Sequence, residues 1–113
     1  MNEDIKALHT LLLEQHNALF EKLGTTTNAE LAKQLVLEMR EVLHRIDMAQ
    51  NLLFKQQTQA LTKAMAGVAS ADQELTKAIK QAQHAAEILK GVSKFLAVVD
   101  KVLDVAKLAA GVV

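Results

Sequence analysis

The sequence has no cysteine, proline, tryptophan or tyrosine, and its only aromatic residues are three phenylalanines. Without cysteine the chain has no disulfide framework, no thiolate zinc site and no cysteine nucleophile. Without proline nothing interrupts long helices, and the alanine, leucine, lysine, glutamine and glutamate in which the chain is rich are good helix formers. The composition therefore predicts an all-α protein of long helices joined by short connections.

A charge excess is also missing, because the 113 residues include 13 basic and 13 acidic side chains. A protein that binds a phosphate backbone usually carries a basic excess, so we expect no nucleic-acid partner. The start of the chain, MNEDIKALHT, lacks the basic region and apolar run of a signal peptide. The apolar stretch 95–113 contains charged residues, whereas a membrane span needs about 20 nearly uncharged ones. These features predict a cytoplasmic protein, with secretion by a route that needs no classical signal left open.

Apolar residues recur at helical spacing along most of the chain. The strongest repeat runs from Leu75 to Ala110, where core positions are spaced three and four residues apart without a break. The repeats predict one domain, residues 1–113, of three helices at about 3–23, 28–66 and 70–111. The polar run 55–59 is the weakest part of the second helix, and we expect the helix to continue through it because glutamine is a reasonable helix former.

Helix-ending and helix-capping residues mark the two connectors. Gly24 and Gly67 are expected to end the first two helices, since glycine reaches the left-handed conformation without strain. Thr27 or Asn28 is expected to cap the second helix, and Ser70 the third. The chain then reverses at Gly67, and the last two helices form an antiparallel hairpin about 60 Å long.

The length of the first helix limits where it can lie. About 21 residues span only about 30 Å, and the short connector places this helix on the end of the hairpin far from Gly67. The predicted fold is therefore a short N-terminal helix packed on a long antiparallel helical hairpin, a coiled-coil-like three-helix bundle. In shape this plan resembles small bacterial helical-hairpin proteins such as secretion chaperones and ESX-type secreted hairpins. The Trp-x-Gly turn of the ESX-type proteins is missing, because Met65 and Ala66 precede Gly67.

The C-terminal helix carries more apolar surface than one neighbouring helix covers. From Leu89 onward its apolar arc widens to about four of seven heptad positions. Burying one valine or leucine contributes about 1.5–3 kcal/mol, so a few such residues suffice to drive association. We therefore expect a non-enzymatic interaction module that self-associates or docks a partner protein, with burial inside the bundle as the alternative. The residues expected to form this interface are Phe95, Val98, Val102, Val105, Leu108 and Val112.

A membrane or lipid surface is a second candidate partner for the same face. Lysines flanking an apolar helix suit the interface of a bilayer. Asp100 and Asp104 on the same helix oppose binding to anionic lipid.

A metal-binding bundle is the third candidate function. Glu41 and His44 have the Glu-x-x-His spacing that places two ligands on one face of a helix. The nearest complement, His84 with Glu87, lies about three helical turns away in the predicted hairpin, so the two pairs cannot share a metal. We therefore expect no metal or other cofactor. The weak candidates for ligands are His9, His16, Glu41 and His44.

Catalytic motifs are missing from the sequence. Ser70 is explained as a helix cap, and neither Ser70 nor Ser93 lies in a glycine-rich elbow. The chain has no phosphate-binding loop and no dinucleotide fingerprint. We therefore expect that the protein is not an enzyme.

Overall fold

The computed structural model describes residues 1–109, and the regular secondary structure in this part of the chain is α-helical. The helices are α1 (Glu3–Thr25), α2 (Ala29–Asn51), α3 (Gln59–Met65), α4 (Val68–Gln81) and α5 (Ala85–Lys107). Buried leucine, isoleucine and valine side chains from all of them form one core. The predicted all-α bundle is confirmed.

α3 and α4 are two pieces of one bent helix. Ala66 and Gly67 between them keep right-handed helical dihedral angles, with φ −57°, ψ −30° and φ −87°, ψ −10°. The bent helix packs beside α1, α1 beside α2, α2 beside α5, and α5 beside α4. The result is a four-helix bundle with principal extents of 48 × 21 × 16 Å.

Side-chain hydrogen bonds between helices show in which direction the helices run. Two bonds join α1 to the bent helix, one joins α2 to α5, and one joins the residues just after those two helices. In both sets the residue numbers rise together on the two partners, so the helices are parallel across the bundle and antiparallel across each short connector. The bonds are Gln15 Nε2 to Asp72 O, Lys22 Nζ to Lys80 O, Arg45 Nε to Asp100 Oδ1, and Lys55 Nζ to Ala109 O.

The bundle consists of two hairpins of equal length. Adding 56 to the bounds of α1 gives Gln59–Gln81, the full span of the bent helix, and adding 56 to those of α2 gives Ala85–Lys107, which is α5. We call α1–α2 the first hairpin and α3–α5 the second hairpin. Buried residues recur 56 or 57 positions apart, as in the pairs Leu12 and Val68, Leu19 and Leu75, Leu35 and Val92, Val42 and Val99, Ile46 and Leu103, and Ala49 and Ala106.

The structure differs from the predicted three helices in where the chain reverses. The predicted helices 28–66 and 70–111 are interrupted at 52–58 and 82–84, and Gly67 bends the chain without reversing it. Two unbroken helices would each be about 60 Å long, which exceeds the 48 Å length of the bundle. Folding each of them back doubles the number of helices that share the core.

Local hydrogen bonds explain both interruptions. The side chain of Thr58 caps α3 by accepting a hydrogen bond from Leu61 N at 3.1 Å. The Glu87 carboxylate accepts bonds from the backbone N–H groups of Gln83 and His84, at 3.2 and 3.1 Å. Each break therefore satisfies backbone donors that a new helix start leaves without intrahelical partners.

Some predicted helix ends are corrected as well. Gly24 lies inside α1, which continues to Thr25, because Thr26 N still donates to Lys22 O. Asn28 caps α2 by accepting from Leu31 N at 3.0 Å. Ser70, the expected cap of the third predicted helix, lies inside α4, which begins at Val68.

Candidate interaction surfaces

α5 has three neighbouring helices, α2, α3 and α4, and this divides its predicted interface. Phe95 and Val102 are buried in the core, with 1% and 0% of their surface exposed. Val98 and Val105 are half-buried and pack against the core. Leu108 is 85% exposed at the C-cap of α5, and Val112 lies outside the described residues. Much of the widened apolar arc of α5 is therefore covered by the other helices of the bundle.

An apolar groove lies between α4 and α5 on the side of the bundle away from α1 and α2. Its volume is about 310 Å³. Its apolar lining consists of Ala71, Leu75 and Ala78 from α4 and Gly91, Phe95 and Val98 from α5. Its charged rim consists of Glu74, Glu87, Lys90 and Lys94. We call this feature the α4–α5 groove.

Small residues form the floor of the α4–α5 groove. A Cβ atom at Gly91 would lie 3.1 Å from Ala78 Cβ and 3.5 Å from Leu75 Cδ1. The two backbones therefore approach closely at this point, and no side chain rises from residue 91 to fill the space above it. Val98 forms one end of the apolar lining, so one of the predicted interface residues does reach this surface.

A polar network joins α2 to α5. Arg45 Nε and Nη2 donate to the two carboxylate oxygens of Asp100, each at 3.1 Å, and Nη1 donates to Glu41 Oε2 at 2.5 Å. The hydrogen bonds from Arg45 to Asp100 raise the pKa of Arg45 above its ordinary value, so the guanidinium stays cationic. The network holds α5 beside α2 in the parallel register.

The weak candidates for metal ligands do not form a site among the described residues. His9 and His16 are half-buried on α1, while Glu41 and His44 are exposed on α2. Glu41 is paired with Arg45, a cation that competes with a metal ion for the carboxylate. Within residues 1–109 no three histidine, aspartate or glutamate side chains lie close enough together to hold a metal ion.

Two polar side chains, one on α1 and one on α2, are buried in the bundle. Gln15 Nε2 donates to Asp72 Oδ1 at 2.7 Å and to Thr76 Oγ1 at 2.9 Å, which joins α1 to α4. Glu38 on α2 is 5% exposed and accepts a bond from Gln34 Nε2 at 2.9 Å. Burial raises the pKa of Glu38, and the bond from Gln34 opposes that effect in part. Gln15 Nε2 and the Glu38 carboxylate have partners inside the bundle, whereas Gln15 Oε1 is buried without a hydrogen-bond partner among the described residues.

A second exposed apolar surface lies on the first hairpin, where no interface was predicted. Leu13, Phe20 and Leu43 are 48%, 59% and 47% exposed. Leu13 and Phe20 belong to α1, but they lie outside its buried row, which runs from Ile5 to Leu19. A signal for this surface was present, since residues 9, 13, 16 and 20 repeat at spacings of four, three and four along a second side of the helix.

Comparisons with known protein families, with curated proteins and with solved structures find no match to this chain. No helix within residues 1–109 is both long enough and apolar enough to cross a membrane. The candidate function therefore rests on the exposed apolar surfaces of the two hairpins.

Proposed function

We propose that this protein is a non-enzymatic helical interaction module whose α4–α5 groove binds one amphipathic helix of a partner protein. The observation that carries the proposal is an open groove between α4 and α5 with an apolar lining and a charged rim. An amphipathic helix that lays its apolar side into such a groove is a common mode of peptide recognition.

The length of the groove suits a helix. Residues 87–98 of α5 line it, a stretch of about 16 Å or three helical turns. A volume of about 310 Å³ is at the lower end of the range of about 300–1,000 Å³ for small-molecule sites. A groove of about three helical turns accepts a few anchoring side chains spaced three or four residues apart.

The rim charges indicate which helix fits. Lys90 and Lys94 lie one helical turn apart along the α5 edge, and both are exposed. Glu74 lies on the α4 edge opposite them. A matching helix carries two acidic residues one turn apart on one side of its apolar stripe, and a basic residue on the other side. Such rim charges set orientation and partner choice more than affinity.

The test uses a fluorescent 18-residue helical peptide with leucines at i, i+4 and i+7 and glutamates one turn apart beside them. We expect this peptide to bind the full chain, and a peptide of the same composition with scrambled leucines not to bind, as measured by fluorescence anisotropy. Lys90→Glu with Lys94→Glu should weaken binding about tenfold, since each exposed ion pair contributes about 0.2–1 kcal/mol.

The matched control is Lys77→Glu with Lys101→Glu, which makes the same charge change at exposed lysines that do not line the groove. It should leave peptide binding unchanged. Equal weakening in both double variants, or equal binding of the scrambled peptide, would contradict a groove-specific site. The lipid-surface function is tested by co-sedimentation of the protein with phosphatidylcholine vesicles. It would be favoured if the protein bound no peptide but bound the vesicles, and if both double variants bound the vesicles as well as the natural chain does.

A further inference from the structure

The outer surface of the first hairpin, away from α4 and α5, carries two rows of apolar side chains. Leu13 and Phe20 lie seven residues apart, about two turns, on one side of α1. Val36 and Leu43 have the same spacing on α2. Leu13, Phe20 and Leu43 are exposed, and Val36 has an intermediate exposure. We call these four residues the hairpin face.

The register of the hairpin places the two rows side by side. The chain turns at 26–28, and at the open end Asn2 N donates to Leu53 O at 2.7 Å. Residues whose numbers sum to about 55 therefore lie at the same height. The pairs at equal height on the hairpin face are Phe20 with Val36 and Leu13 with Leu43.

Acidic residues border the hairpin face on α1. Glu14 and Glu21 lie between the row of Leu13 and Phe20 and the side of α1 that carries Gln15, which bonds to α4. This position is the edge of α1 farthest from α2. Both glutamates are exposed, and among the described residues neither forms an ion pair.

Basic residues border the hairpin face on α2. Lys33 and Arg40 lie between the row of Val36 and Leu43 and the side of α2 that carries Arg45, which bonds to α5. This position is the edge of α2 farthest from α1. Both are exposed, and in the described part of the chain neither is in an ion pair.

The acidic border on α1 and the basic border on α2 lie at equal heights along the hairpin, but within one chain they are too far apart to form ion pairs. Glu14 has the same height as Arg40, and Glu21 the same height as Lys33. The two apolar rows lie between the members of each pair, so the charges cannot meet inside one hairpin. Farther along the hairpin, the exposed residues Lys6 and Asp47 also have opposite charges at nearly equal height.

We infer that the hairpin face binds the hairpin face of a second copy of this chain. A two-fold axis parallel to the helices, between the two copies, places α1 of one copy over α2 of the other at unchanged height. The apolar rows then pack against each other. Glu14 meets Arg40 of the second copy and Glu21 meets its Lys33, and symmetry makes each pair twice. Charges that flank an apolar seam set partner and orientation in the same way in coiled coils.

The outer side of the first hairpin, which contains the hairpin face, is large enough for a dimer. Its two helices of 23 residues are about 35 Å long and together about 20 Å wide, so this side covers about 700 Å². A standard interface takes about 800 Å² from each partner. The α4–α5 groove lies on the opposite side of the bundle, so the dimer leaves two grooves facing outward. The dimer does not depend on whether the groove binds a helix.

Charge reversal on the two borders provides the test. Variant one is Glu14→Lys with Glu21→Lys, and variant two is Lys33→Glu with Arg40→Glu. Light scattering over a concentration series should show a dimer for the natural chain. Each variant alone turns all the border pairs into repulsions, and its dimer dissociation constant should rise at least about thirtyfold. An equal mixture of the two variants makes every pair attractive again and should restore a dimer containing one of each.

Circular dichroism checks that both variants keep the helical content of the natural chain, and Lys77→Glu with Lys101→Glu, outside the hairpin face, should remain dimeric. A variant that fails to fold is replaced by the chain with all four substitutions, which should form a homodimer. A natural chain that stays monomeric at several hundred micromolar would overturn the inference. Dimers that survive in both variants, or a mixture that does not dimerise, would also overturn it.

Discussion

The two hairpins have equal lengths, but their first helices are built differently. α1 is continuous from Glu3 to Thr25, whereas the same span of the second hairpin is divided between α3 and α4. Leu11 in α1 corresponds to Gly67 at the division. The bend changes neither the positions of the buried residues nor the place where the chain reverses. The fold is therefore determined by the buried positions and the connectors, and it tolerates a local bend.

The connectors of the two hairpins also differ in chemistry while having the same length. In the first, the side chain of Asn28 caps the following helix. In the second, the following helix supplies Glu87, whose carboxylate accepts hydrogen bonds from the connector backbone. The two connectors therefore satisfy different backbone donors, one in the first turn of α2 and two in the connector that precedes α5.

The outer surfaces of the two hairpins have opposite shapes. Bulky side chains such as Leu13 and Phe20 project from the first hairpin. The second hairpin has Ala78 and Gly91 at the centre of its outer surface, which leaves a depression. A protruding apolar surface with matched charged borders suits a copy of itself, and a narrow groove suits a single helix. The repeat therefore presents two outer surfaces of different shape, one protruding and one recessed.

The largest expected effect comes from a position where the two hairpins differ in the core. Phe95 is 1% exposed and corresponds to Glu38 of the first hairpin. Phe95→Ala should lower the free energy of unfolding by about 3–5 kcal/mol, because it removes a large buried side chain and leaves a cavity. Urea denaturation measures the change. Phe54→Ala is the control, since Phe54 is 58% exposed and its loss should change stability by less than about 0.5 kcal/mol. Equal effects of the two would mean that α5 is not the centre of the core.

The sequence predicts the fold class, the first helix and one of the helix caps correctly. Ile5, Leu8, Leu12 and Leu19 are buried as the spacing predicts, and Asn28 is a cap. The two breaks were harder to find, because Ala82 and Ala85 continue the heptad spacing through a connector that is not helical. Alanine fits a helical seam and a connector equally well, so the pattern does not distinguish them.

The interface on α5 was only partly predictable, because periodicity shows which side of a helix is apolar but not how many helices cover it. Phe95 and Val102 are buried in a bundle in which α3 and α4, as well as α2, pack on α5, and that arrangement depends on the unpredicted breaks. The signal for the hairpin face was present in the spacing of Leu13 and Phe20. Spacing alone does not distinguish this exposed row from the buried row of α1, because both repeat with the helical period.

An intermediate effect is expected at Glu38, the counterpart of Phe95. Burial raises the pKa of Glu38 in the folded protein above its ordinary value of 4.5. The folded state therefore binds this proton more tightly than the unfolded state does, so protonation of Glu38 stabilises the folded protein. This stabilisation is fully present below pH 4.5 and is lost as the pH rises through the pKa of Glu38 in the folded state. Glu38→Gln should raise the free energy of unfolding at pH 7 by about 0.5–1 kcal/mol, since it removes a buried charge and keeps a hydrogen-bonding group.

Urea denaturation of Glu38→Gln and the natural chain between pH 3 and pH 8 measures this effect. The difference between the two should shrink towards zero at the acidic end. Glu74→Gln, at an exposed position, is the control and should change the pH dependence little. A difference that is constant across this pH range would show that the charge of Glu38 is not its cause.

The smallest expected effect tests the bend itself. Gly67 has right-handed helical dihedral angles, and a Cβ there would lie 3.9 Å from Val98 Cγ1, an ordinary contact. Gly67→Ala should therefore stabilise the protein by about 0.5–1 kcal/mol and raise the melting temperature by a few degrees, since alanine loses less backbone entropy in a helix. Gly91→Ala makes the same chemical change where the Cβ would lie 3.1 Å from Ala78 Cβ, and the crowding should cancel or reverse the gain. If Gly67→Ala instead destabilises the protein, the second hairpin needs its bend and is not simply a weaker copy of the first.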